Sequence, residues 1–187
     1  MADLRFSCRC GTLNGHVTHA SPRGGNHIVC HCADCVRTLV HFGIEANQQD
    51  GVDLFQTTPD HIKIDSGKEH LALLTLSPKG AYRWYAKCCD TPLFNSPNTP
   101  RFAFATVLTR NIDRPEALGR VIGHTFLPTA DGKTRHKNIT RPVISLMIKA
   151  GAALISGRWR DTPFFDPETR EPVAAPTLAP KNAGRAG

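Results

Sequence analysis

Three cysteines fall within six residues, in the run Cys30-His31-Cys32-Ala33-Asp34-Cys35. Thiolates separated by turn-sized gaps can converge on one soft cation. Three of them leave a tetrahedral metal one position short, and an open position distinguishes a catalytic zinc from a structural one. The competing reading is a structural zinc completed by a cysteine or histidine from elsewhere in the chain. His31 lies between the ligands. Alternate residues of a loop or strand diverge, so its ring is expected to point away from the metal.

The other four cysteines are Cys8 and Cys10, a second C-x-C pair, and the vicinal Cys88 and Cys89; none follows Cys89. An odd total of seven argues against a simple disulfide framework, and adjacent cysteines bridge only with strain. The start MADLRFSCRC has no apolar h-region. Free thiols suit a reducing compartment, so a cytoplasmic location is expected. The 187 residues, 40% hydrophobic and 21% charged, suffice for one domain with an elaboration. The longest apolar stretch, Val143 to Ile155, is interrupted by Lys149 and too short for a bilayer, so no membrane partner is expected. A net charge of +7 favours anionic partners. The basic residues are scattered, however, and aromatic content is only 7%, which argues against nucleic acid. No Ser-His-Asp set, P-loop or dinucleotide-binding glycine motif is visible.

These residues must be positioned by a body of β texture. From Phe6 to about Asn111, runs such as Asn26–Val29, His61–Ile64, Leu71–Leu76, Ala81–Tyr85 and Phe102–Leu108 alternate with Gly, Pro, Asp and Ser turn signals. Ser77-Pro78-Lys79-Gly80 reads as a hairpin loop. The segment 112–166 reads as an elaboration. It is irregular to Lys137 with a turn at Asp131-Gly132, and then helical near 141–156. Thr140 would cap that helix, Ile144, Met147, Ile148 and Leu154 would pack it, and Gly157 would end it. Residues 167–187, rich in Pro, Ala and Gly, read as a flexible tail.

Taken in order, the cysteine groups resemble a known family. Phe6-Ser7-Cys8-Arg9-Cys10-Gly11 is similar to the opening C-x-C-G of the glutathione-dependent formaldehyde-activating enzymes and their centromere-protein-V-like relatives. Cys30 to Cys35 is similar to their C-H-C-x-x-C. Arg83-Trp84-Tyr85-Ala86-Lys87-Cys88-Cys89-Asp90-Thr91-Pro92-Leu93-Phe94 is similar to their R-x-F-C-x-x-C-G-T-P-L-F. The resemblance spans roughly residues 6–110. It implies a mainly β fold, a zinc-stapled β-tent of small antiparallel sheets in residues 1–111, here with a C-terminal helical elaboration. It implies a structural zinc on Cys8, Cys10 and Cys89 and a catalytic zinc on Cys30, Cys32 and Cys35. It implies carbon–sulfur lyase chemistry on a small-molecule thiol or a thiol–aldehyde adduct of glutathione. Arg83 and Trp84 could then wall an anion- and thiol-binding site, and Arg37 could meet a carboxylate; strand packing and a solvated surface are their ordinary alternatives.

The chain departs from that pattern at one place. Ala86 stands where the family carries the first cysteine of C-x-x-C, Cys88 is extra, and Asp90 replaces a glycine. Cys88 could substitute as fourth ligand given a local turn, although in an extended chain Cys88 and Cys89 would face opposite sides. A histidine or water could complete the site instead, or the site could be weak or empty. The expectation is that this is the weaker of the two sites. Three functions follow: a zinc lyase, a degenerate zinc-stapled scaffold, or a binding module for a protein or nucleic-acid partner.

Overall fold

The computed structural model describes residues 3–180. It is mainly β, with mostly antiparallel sheets and two helices. Strands β1 (Leu4–Ser7), β2 (Asn14–Val17) and β5 (Ile62–Ser66) form a small sheet in the order β1-β2-β5. The remaining strands are β3 (Asn26–Cys30), β4 (Val52–Thr57), β6 (Leu71–Thr75), β7 (Tyr82–Ala86), β8 (Thr91–Ser96), β9 (Ala105–Leu108), β10 (Gly123–Pro128), β11 (Thr134–Lys137) and β12 (Pro176–Leu178). They form a nine-stranded sheet in the order β11-β10-β3-β4-β9-β8-β7-β6-β12. Among the described residues only β10 on β3 and β12 on β6 pair in parallel.

The period-2 alternation of these strands divides the side chains between two cores. Phe55, Val107, Phe94, Trp84 and Leu73 face the small sheet and meet Leu4, Phe6, Val17 and Ile62. On the opposite face, Ile28, Leu54 and Leu108 join Cys30 and helix α1 (Ala33–His41) through Cys35 and Leu39. The three-cysteine run therefore lies across the sheet from the main core.

Helix α1 was not expected from the sequence. It begins inside the cysteine run, just after Cys32, and its inner residues Cys35, Thr38 and Leu39 repeat with helical spacing. Cys32 takes the N-cap position that Ser or Asp usually fills, its sulfur accepting the Cys35 N–H at 3.4 Å. Gly43, at φ +70°, closes the helix, and Ile44 N–H reaches back to the Leu39 carbonyl.

The C-terminal half departs from expectation in three ways. The irregular stretch before Lys137 contains the β10–β11 hairpin, with its turn at Asp131-Gly132. Helix α2 spans Thr140–Ile155, but Ile139 holds the cap position and Thr140 makes no cap bond. Its inward residues are Pro142, Leu146, Ala150 and Ala153, whereas Ile144, Met147, Ile148 and Leu154 face outward, Ile148 with 66% of its surface exposed. Both sides of this helix are apolar, so periodicity marks a helix without choosing its buried face. Finally, residues 167–180 do not form a loose tail. Phe164 and Phe165 enter the main core, β12 adds to the edge of β6, and Ala179 N–H bonds to the Thr75 carbonyl. An exposed sheet edge offers unpaired backbone groups that even a Pro-rich segment can satisfy in part. Residues 181–187 of the expected tail lie outside the described residues.

Candidate metal centres and the adjoining cavity

Cys8 and Cys10 follow β1, and Cys88 and Cys89 follow β7. Each pair is folded back by one residue in the left-handed region. Gly11 has φ +77° and donates its N–H to the Cys8 carbonyl; Asp90 has φ +53°. Asp is among the few residues besides glycine that enter this region readily. The Cys89 N–H reaches the Ala86 carbonyl, so residues 87–90 form a turn rather than a continued strand. That turn removes the objection to Cys88, because both vicinal side chains now face Cys8 and Cys10. Arg9 locks the two knuckles together, donating from its backbone to Thr91 Oγ1 and from its guanidinium to the Cys89 carbonyl.

The four sulfurs lie within 4.8 Å of one another. Cys10–Cys88 is 3.4 Å, Cys8–Cys10 is 3.5 Å, and Cys8–Cys88 and Cys88–Cys89 are each 3.8 Å. A tetrahedral metal with sulfur bonds of about 2.3 Å needs sulfurs about 3.8 Å apart, so this donor set fits a four-thiolate centre. The expected ligand deficit is thus absent: Cys88 supplies the fourth sulfur, and Ala86 is wholly buried in the core, away from it. The Thr12 hydroxyl and backbone lower the Cys10 thiol to about 6, while loss of solvent and the neighbouring thiols push Cys88 up to about 12.

Cys30 at the end of β3, Cys32 at the helix cap and Cys35 in the first turn of α1 form the second group, also within 4.8 Å. Cys30 and Cys35 are buried and Cys32 is half-buried. Hydrogen bonds with Cys32 and then Cys35 lower the Cys30 thiol, and the contact with Cys30 raises the other two. His31 points away, as expected. Its Nδ1–H donates to the Gln48 carbonyl at 2.7 Å, and its Nε2 lies 3.1 Å from His124 Nδ1.

Of the other expected site residues, the structure brings only Arg83 to this group. Its Nη1 lies 3.9 Å from Cys35 Sγ, and the residue is 7% exposed. Alternation on β7 sends the neighbouring Trp84 to the opposite face, where it stacks on Phe164 and donates Nε1–H to Ser96 Oγ. Trp84 therefore cannot wall the site. Arg37 sits on the outer side of α1 beside Asp34, 3.8 Å away, and does not line the cavity at the cysteines.

That cavity, about 440 Å³, opens on Cys30 and Cys35. Arg83, Asn95, Thr106 and Gln56 line it from adjacent strands. They are in register, Arg83 with Asn95, Asn95 with Thr106, and Thr106 with Gln56. Phe102, Phe104 and Phe126 supply apolar wall. Three larger hollows, about 510, 740 and 950 Å³, touch none of Cys30, Cys32 and Cys35. Sequence reasoning missed Asn95, Thr106, Gln56 and the phenylalanines. Their common face is fixed by strand register, which the sequence does not state.

Fold and sites together define a mainly β protein with one four-cysteine and one three-cysteine cluster, either able to hold a metal ion. The chain matches the Family of unknown function (DUF6151) over residues 2–175, and it belongs to that family. No curated protein matches it. A crystal structure of a Rhodobacter sphaeroides protein, from a structural-genomics programme, is similar with 18% identity and a TM-score of 0.44, covering 63% of this chain and 96% of that one.

Proposed function

We propose that this chain is a zinc protein of the thiol-adduct class, resembling the glutathione-dependent formaldehyde-activating enzymes. Cys8, Cys10, Cys88 and Cys89 would hold a structural zinc that staples two loops. Cys30, Cys32 and Cys35 would hold a second zinc with one position open to a small-molecule thiol or its aldehyde adduct, for making or breaking a carbon–sulfur bond. One observation carries this reading: among the described residues the sulfur-bearing residues that line the 440 Å³ cavity are Cys30 and Cys35, so a ligand entering it meets the incomplete centre and not the complete one. Zinc in such a site supplies Lewis acidity toward a carbonyl oxygen or an anchor for a thiolate.

The chain's own residues do the rest. Arg83 sets a fixed positive charge beside the cysteines, where charge moves as sulfur and oxygen exchange it. The phenylalanines exclude water. The N-cap position of Cys32 orients its sulfur and places the positive end of α1 at the centre. Seven unpaired thiols suit a reducing compartment such as the cytoplasm. Among the described residues no helix is long and apolar enough to cross a membrane.

The test is metal stoichiometry on untagged protein, followed by cobalt substitution and titration with glutathione. Two metals per chain, with the cobalt spectrum shifted by thiol and the shift lost in Cys35→Ser, are expected. Folded protein that neither carries nor takes up zinc would sink the proposal. A scaffold function is the second reading, favoured by the outward apolar face of α2, where Ile155 is 90% exposed. It predicts two metals and no response to any thiol.

A further inference from the structure

Arg83 is a buried cation without a carboxylate partner. Among the described residues no ion pair includes it, and its Nε has no hydrogen-bond partner. Burying a guanidinium with an unused N–H is costly unless something anionic completes it. Cys35 answers one Nη at 3.9 Å. The Nε edge is left, and with an Nη it forms the fork that takes a carboxylate through two parallel bonds.

The rest of the cavity restricts what carries that carboxylate. Among the described residues no Asp or Glu lines it, and beyond Arg83 the other charged lining residue is the exposed Lys79. Phe102, Phe104, Phe126, Leu54 and Ile28 make its wall largely apolar. Glutathione brings an ammonium group and two carboxylates. Its ammonium would find no carboxylate here, and its polar backbone would face phenylalanine. An apolar body with a single negative charge suits this wall better.

The position of Arg83 restricts the ligand further. The guanidinium is in reach of a sulfur of the cysteine group, so a ligand that touches both is best served by a sulfur and a carboxylate on the same carbon. Resting on the open-centre reading above, we propose that the ligand class of this site is a 2-thio carboxylate with an apolar, preferably aromatic, substituent, whose carboxylate is held by Arg83 and whose substituent lies against Phe102, Phe104 and Phe126. Arg83 is then the residue that selects the ligand, and the phenylalanines set its size.

The test uses full-length zinc-loaded protein and calorimetric titration with four compounds: 2-mercapto-3-phenylpropionate, 2-phenylethanethiol, mercaptoacetate and glutathione. The first should bind tightest. Removing its carboxylate should weaken binding by ~30-fold or more, as for loss of one partner of a buried charge pair. Removing its ring should weaken binding by ~10-fold or more, as expected for a phenyl group taken out of water. In Arg83→Gln every thiol should weaken as the centre loses its neutralising charge, but the advantage of the carboxylate over 2-phenylethanethiol should disappear. Arg83→Lys should keep part of the preference. Phe102→Ala, at a partly exposed position, should shrink the benefit of the ring alone. If Arg83→Gln does not fold, the ranking of the four compounds on the unaltered protein still decides. Zinc-loaded protein that binds glutathione as tightly as the aromatic mercapto acid overturns this inference and leaves the open-centre reading standing. A carboxylate preference undiminished in Arg83→Gln does the same. Failure of the three-cysteine group to take up metal, or of all four thiols to bind, overturns the open-centre reading and the inference with it.

Discussion

Cys88→Ser isolates the question of how the first cluster is completed. Serine keeps the size of the side chain and removes the thiolate. Cys8 and Cys88 lie 80 residues apart in the chain, with sulfurs separated by 3.8 Å. A metal gripping both closes a loop of that length in the folded state and, if retained on unfolding, in the unfolded state too. Treated as a cross-link of ~80 residues, the constraint corresponds to about 4.5 kcal/mol of loop-closure entropy. The binding route gives a similar size: a ligand present at about a thousand times its dissociation constant stabilises the folded state by about 4 kcal/mol. The two are alternative descriptions of one staple and are not added. Losing one of four thiolates should weaken the grip enough to forfeit most of that stabilisation. The assay is urea denaturation of the variant and its parent, each with and without a zinc chelator, alongside metal analysis. We expect metal content to fall from two ions to one, a stability loss of ~3–5 kcal/mol in the parent on chelation, and a much smaller chelator effect in Cys88→Ser. Unchanged metal content and an unchanged denaturation midpoint in Cys88→Ser would refute the assignment of Cys88 as fourth ligand.

Three further predictions address the surrounding structure. Ala86→Cys should add no metal and should destabilise by ~1–3 kcal/mol, because the fully buried position admits no larger side chain without strain; metal analysis and thermal unfolding decide. Asp90→Gly should stabilise by up to ~1 kcal/mol and Gly11→Ala should destabilise by about that amount, since both positions require positive φ, as denaturation midpoints would show. His27 has acceptors at both ring nitrogens, the Gly119 carbonyl and the Asp53 carboxylate, each at 2.6 Å, and the Asp53 bond chiefly raises its pKa above the usual histidine value. A raised folded-state pKa contributes stability that is complete below the ordinary histidine pKa and is lost as pH rises through the raised one. The contribution is on the order of 1 kcal/mol, because Asp53 is half exposed and solvent screens the pair. His27→Gln should flatten that part of the stability–pH curve.

The strands of the β body were legible because alternation and turn residues mark them, and Asn26–Val29, Leu71–Leu76 and Ala81–Tyr85 fall on β3, β6 and β7. The cysteine groups were legible as metal-ligand candidates from spacing alone. Three things were not. Helix α1 carries its apolar residues on a short face whose first member is a cysteine, so it reads as part of a metal loop. The role of Cys88 depends on the turn at residues 87–90 and on the positive φ of Asp90, a local conformation that the pair Cys88–Cys89 does not announce. The outward face of α2 could not be told from its inward one, because Leu146, Ala150 and Ala153 carry less apolar bulk than Ile144, Met147 and Ile148. In each case the missing information is tertiary: which face packs, which turn closes, which strands pair.

Arg83 illustrates how the two kinds of information combine. The sequence places an arginine, a tryptophan and a tyrosine ahead of the last cysteines, and by type any of them could serve a site. The pleat separates Arg83 from Trp84. Register aligns Arg83 with Asn95, Thr106 and Gln56. The distance to Cys35 then sets a guanidinium against the three-cysteine group and not against the four-cysteine one. Charge follows from that placement. Three thiolates on a dication would carry net −1, which Arg83 would neutralise, so that an incoming ligand would not be opposed by a net negative centre. Four thiolates on a dication carry −2. Arg9, whose guanidinium donates to the Cys89 carbonyl, is the cation beside that cluster and would offset part of that charge. With a metal in each, as proposed, the four-cysteine cluster would be complete in coordination and the three-cysteine cluster, one thiolate short and beside Arg83, would be the one to accept a partner.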